Sequence, residues 1–245
     1  MLDIFFLGYV HFFAVLLPVL ALSILTIGAA GADLSWIDPR RALIVPAVVL
    51  ALWYAVAMTL SANGSFKVPA TLSDPPVVLM FFFGGAALLW AMARLTLIGR
   101  VITDPIDPGL IAAFQIPRVM GGLFLLGWAA GVIPWQFALP AGVGDIWAGV
   151  AGYQAWSANR RKAPDTRAKI IRANVIGMAD FAVAMITGIL SSEGFAQVWA
   201  FDSPNIINLH PLAMFPGFFV PLFLAFHMIS ISKLRQEGRA VPVRP

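Results

Sequence analysis

The chain of 245 residues is 60% hydrophobic and only 11% charged, with a mean hydropathy of +0.86, against roughly 45–50% apolar and about 25% charged in soluble domains. The sixteen Lys and Arg outnumber twelve Asp and Glu, but they sit in short segments between apolar runs, so the charge speaks for membrane topology and against nucleic acid. With no cysteine and three histidines, disulfides, thiolate metal sites and multi-histidine metal centres are not expected, and no metal is.

Spanning about 30 Å of hydrocarbon takes roughly 20 apolar residues, and seven runs qualify: 4–30, 41–61, 75–98, 109–132, 134–156, 168–190 and 210–233. The expected fold is therefore all-α, a polytopic integral membrane protein with one seven-helix domain over 1–237 and a short disordered cytoplasmic tail at 238–245. The first run ends in GAAGA, which resembles a cleavage site. Its leading segment carries Asp3 and no Lys or Arg, and its apolar stretch exceeds a signal sequence's, so a retained helix is expected.

Orientation follows from basic residues in short loops. With the N-terminus outside, every Lys and Arg except Lys67 and Arg118 falls inside or at an inner helix end. The expected location is the cytoplasmic membrane of a bacterium, with the lipid bilayer as partner and room for an oligomer or a larger membrane complex. The segment 191–209 is expected to lie along the outer interface through Phe195, Val198 and Trp199.

The stretch Phe114–Trp156 holds two runs folded back at Gly131–Pro134. Each carries one charge that lipid does not tolerate, Arg118 and Asp145; Asp180 lies in the next run. At 1.5 Å per residue they stand roughly 14, 16 and 18 Å above the inner ends of their helices, one common level. A charge at the midplane costs about 2.5–3.5 kcal/mol, so the three are expected to face one another or a wet cavity. Gly142, Asp145, Gly149 and Gly152 share one helix face, as do Ala173, Gly177, Asp180, Ala184 and Thr187 with Asn174 beside them, and Gln115, Arg118 and Gly122. One guanidinium does not neutralise two carboxylates, which leaves one aspartate to hold a proton or a cation. Gln115, Arg118, Asp145, Asn174, Asp180 and His227 are the candidate site.

His210 and His227 lie 17 residues apart, about 25 Å on a straight helix, and do not serve one centre. His227 is at the depth of Asn174, where it suits a proton relay. His210 is nearer in depth to His11, and that pair carries the one cofactor alternative, a haem. Pro211, Pro216 and Pro221, with Pro134 and Pro140, are expected to bend the last and fifth helices. Phosphate loops, HExxH, GxSxG and CxxCH are absent, giving no support to an enzyme. The only Lys of the last run is Lys233 at its inner end, which excludes a retinal Schiff base in mid-membrane. Three functions follow: a transporter or permease for a small solute or protons, an embedded enzyme or redox protein acting on lipid, quinone or haem, or a structural subunit of a membrane complex.

Overall fold

The computed structural model describes residues 2–32 and 39–240. All regular structure among them is helical: α1 (Leu2–Ala30), α2 (Pro39–Ala62), α3 (Val77–Leu95), α4 (Leu97–Thr103), α5 (Pro108–Ala113), a 3₁₀ segment (Ile116–Gly121), α6 (Gly122–Ala129), α7 (Trp135–Arg160), α8 (Thr166–Ser191), a π-helical turn (Phe215–Phe219) and α9 (Val220–Ala240). Trp36 and most of the tail at 238–245 fall outside the described residues.

Six of these segments are long and apolar enough to cross a membrane: 4–30, 41–62, 77–95, 108–129, 166–191 and 215–237. Their outer faces agree with that. Ile44, Val45, Val48, Leu52 and Val56 of α2 are all 48–62% exposed, a continuous apolar face that water does not tolerate and lipid does. On α1, Phe6, Val10, Ala14, Leu17, Ala21 and Ile24 turn inward, while Phe12, Val15 and Val19 face out. The last span is the hub. From Leu212 to Ile229 nearly every side chain is buried, which is why its sequence is apolar on all sides.

Packing partners fix the direction of each helix. Residues 142, 149 and 152 of α7 abut 125, 119 and 112 of the preceding span, so the two are antiparallel along their whole length. Their connection closes at Gly131, whose φ of +73° suits glycine. Against α8, Phe137 meets Gly188, Gly144 meets Asp180, and Gln154 accepts from Arg172, again antiparallel. Trp53 and Ser61 of α2 bond Gly217 and His210, while Gly85 and Trp90 of α3 meet Pro221 and Ser232 of α9. The last span is thus antiparallel to α2 and parallel to α3.

Two departures from the sequence expectation matter. The run at 109–132 is not one helix. Asp107 caps α5 by accepting from Gly109 N and Leu110 N at 2.7 and 3.3 Å, and α5 stops after six residues. Pro117, lacking an N–H, enters the next turn and the chain tightens to 3₁₀ until Gly121. Gln115, Arg118 and Gly122 therefore do not share an α-helical face. The last helix likewise starts at Phe215, after turns that hold His210 and Pro211, and opens with a π-helical turn around Pro216. The prolines act here by widening a turn.

The segment 192–213 is non-helical and folds over one end of the bundle. Phe195 N donates to Pro69 O, and Asn205 N to Ser191 O, while Phe195, Val198 and Trp199 remain exposed. At the other, basic end, α4 packs under α3 and α9. Buried Arg94 donates to Asp104 (2.7 Å), Thr103 Oγ1 (2.8 Å) and Gln236 (2.6 Å). Lys233 Nζ donates to Thr103 O and Asp104 O at 3.1 and 2.6 Å.

Candidate functional site

Three broken or glycine-rich walls meet at Arg118, whose side chain has no exposed surface. Its Nε donates to Asp145 Oδ1 at 2.9 Å, one terminal nitrogen donates to Asp180 Oδ2, and the other donates to Gly177 O at 3.1 Å. The guanidinium lies over the Phe181 ring, with Cζ 3.7 Å from the ring centroid, an attractive geometry for a desolvated cation. Arginine is the one side chain whose planar fork meets two carboxylates and a carbonyl at once. The 3₁₀ geometry brings it to both acids: Arg118 leaves neither Asp145 nor Asp180 without an ion pair.

The space for this cluster comes from missing side chains. A Cβ at Gly144 would overlap the Asp180 carboxylate, one at Gly121 would overlap Asp145, and one at Gly177 would overlap His227 and lie 2.8 Å from the Arg118 guanidinium. Each glycine stands on a different element, so the three helices close around the charges rather than beside them.

A second chain of bonds leads from Arg118 toward the basic end. His227 Nε2 is 3.4 Å from the guanidinium, and Nδ1 is 2.9 Å from Asn174 Oδ1. The Asn174 amide donates to Ser230 Oγ at 2.8 Å and to Ile170 O at 3.1 Å. With Asn174 Oδ1 as the acceptor, the imidazole carries its proton on Nδ1 and turns its lone pair to Arg118. Gln115 is set apart: its amide donates to Phe223 O at 3.2 Å, and its Oε1 is buried without a partner. His11 and His210 are both exposed and engaged separately, His11 with Leu7 O at 2.7 Å and His210 with Ser61 Oγ at 3.0 Å.

On the side away from His227 lies a cavity of about 70 Å³, lined by Phe82, Phe124, Phe137, Phe181 and Asn208 and reaching both Asp145 and Asp180. Asp180 Oδ1, buried, has no hydrogen-bond partner. A buried, unpaired carboxylate oxygen is costly, and the void beside it has room for a few waters. At the far end of the chain, Asn174 forms part of a groove flanked by Arg167 and Arg235. The polar chain therefore joins two recesses at opposite levels of the bundle.

Sequence reasoning passed over several contributors. Phe181 and Ser230 were legible as helical neighbours, since 174, 177 and 181 share a face and Ser230 follows His227 by three. Gly121, and Tyr9 of α1, whose hydroxyl donates to Met120 O at 2.7 Å, had no local signal.

Fold and site together define a polytopic helical membrane protein with a buried two-acid, one-arginine cluster at its centre. The chain belongs to the family described as a domain of unknown function (DUF8737), which matches residues 75–235. The match runs from the start of α3 into α9, so it contains every member of the cluster and leaves out α1 and α2. No curated protein and no solved structure matches the chain.

Proposed function

We propose that this is a seven-span proton transporter of a bacterial cytoplasmic membrane, with its N-terminus outside. What supports the seventh span is α7, 26 residues long and therefore about 39 Å. It falls short on apolarity because it carries Asp145, two Gln and four Gly, yet it lines the preceding span from end to end. Parity supports it too: α3 and the last span run parallel, which requires an odd number of crossings between them; 108–129 and α8 are two, and α7 makes the count odd. The orientation rests on the basic end, where the inner loops gather nearly all the Lys and Arg.

Proton transport rests on one observation: a water-sized cavity ends on two carboxylates that share a single guanidinium. The triad carries one formal negative charge that a proton cancels. At about 70 Å³ the cavity is far below the roughly 300–1,000 Å³ of sites for small organic molecules, so protons fit it and larger solutes do not. The acid pair takes a proton from the cavity; His227 then accepts it at Nε2 and releases its Nδ1 proton to water in the groove beside Asn174, whose amide orients the ring and does not itself carry the proton. Arg118 does not carry it, because a guanidinium does not deprotonate. Instead it holds the acids apart from His227 and must move off Asp180 for the transfer. A purely structural cluster would be dry and fully paired, which the unpartnered Asp180 Oδ1 beside a cavity speaks against.

The test is acidification of liposomes carrying the purified protein and an internal pH dye, under an imposed potential. Wild type is expected to conduct protons well above empty liposomes, with Asp180→Asn and His227→Gln each reducing the flux at least about tenfold, the scale of one lost relay group. Wild-type flux in folded Asp180→Asn protein overturns the proposal.

A further inference from the structure

A separate apolar void lies away from the charge cluster. A crevice of about 480 Å³ separates the α1–α2 hairpin from α3, α4 and α9, with Leu25, Val49, Leu89, Ala93, Phe226 and Ile229 among its walls. Close-packed interiors hold few voids larger than a water, and this one has almost no polar lining that would retain water. Val45 and Leu97, which also line it, are 52% and 63% exposed, so it opens sideways to the surrounding bilayer. It coincides with the boundary of the family match: the hairpin forming one wall precedes residue 75.

We infer that this crevice is a binding site for one acyl chain of an anionic phospholipid from the leaflet at the basic end. The size fits. A cavity of roughly 150 Å³ takes up the six carbons of benzene, so about 480 Å³ holds on the order of eighteen carbons. The charge fits as well. Ala42 and Gly99 line the crevice at its basic end, and their chain neighbours Arg41 and Arg100 are exposed, within reach of a headgroup phosphate at that interface. The site does not depend on proton transport, and its test involves no flux.

The experiment is quantification of lipid retained by the protein after extraction from mixed phosphatidylglycerol and phosphatidylcholine membranes, by native mass spectrometry. Wild type is expected to retain a single lipid, with phosphatidylglycerol preferred. Ala93→Phe and Val49→Phe fill the crevice and are expected to lower retention about tenfold, in protein that is monodisperse by size exclusion; two variants are used so that one folding failure leaves the other. The double change Arg41→Gln, Arg100→Gln keeps a bound lipid but loses the preference for phosphatidylglycerol. Equal retention of the two lipids by wild type overturns the headgroup assignment, and undiminished retention by both filled variants overturns the crevice.

Discussion

Arg118 holds together residues from three elements, and its loss is the most damaging single change expected. Arg118→Ala leaves two carboxylates in a buried site, a situation that costs about 3–5 kcal/mol. Adding Asp145→Asn and Asp180→Asn to that variant is expected to recover much of the unfolding midpoint, because the buried charge is then gone. Arg118→Lys is expected to rescue poorly, since an ammonium does not present a fork to both acids and Gly177 O. Gly144→Ala is the subtler probe. Its methyl overlaps the Asp180 carboxylate, and overpacking of this kind costs about 1–3 kcal/mol, readable as a lower midpoint in detergent. The charges themselves were legible in the sequence because lipid makes any mid-span charge conspicuous. Of the glycines that make room for them, Gly177 was legible on the face of Asp180, whereas Gly121 and Gly144 were not, since glycine in a membrane helix has many explanations and only the opposing side chain selects one.

At the scale of elements, local signals carried less. Pro117 and Pro216 mark where two spans depart from α-geometry, but proline alone does not say whether a helix kinks, tightens to 3₁₀ or widens to a π turn; packing against α7 and α3 decides. The short helix α4 is a similar case. Its Arg100 and the neighbouring Arg94 read as topological charges in the sequence, whereas Arg94 is buried in a bond network with Asp104, Thr103 and Gln236. Lys233 caps the same helix by donating to its last carbonyls, a favourable place for a cation. Lys233→Met is expected to lower stability by about 1–3 kcal/mol, the cost of stranding buried acceptors. Proton flux in the folded variant should be unchanged, because the cap lies outside the polar chain, so thermal unfolding and liposome flux measured on one preparation separate the two effects.

For the whole molecule the decisive question is how many times the chain crosses. The absence of cysteine makes single-cysteine labelling clean. Lys67 and Lys162 are both exposed in loops, one between α2 and α3 and the other between α7 and α8. With seven spans they lie on opposite sides, so Lys67→Cys is expected to react with an impermeant maleimide on intact cells and Lys162→Cys only after permeabilisation. Were α7 not a crossing, both would be labelled from the same side.

The sequence by itself determined the class of this protein and the identity of its charged residues. Hydrophobicity over a 20-residue window and the cost of a charge in lipid are properties of the chain, independent of how helices pair. Tertiary structure alone decided that Arg118 bonds both aspartates, that His227 and Asn174 extend the chain while Gln115 turns away, and that a cavity reaches Asp180. Those outcomes depend on side-chain reach across helices far apart in sequence, and on a 3₁₀ turn that rotates Arg118 away from the face an unbroken helix would have given it.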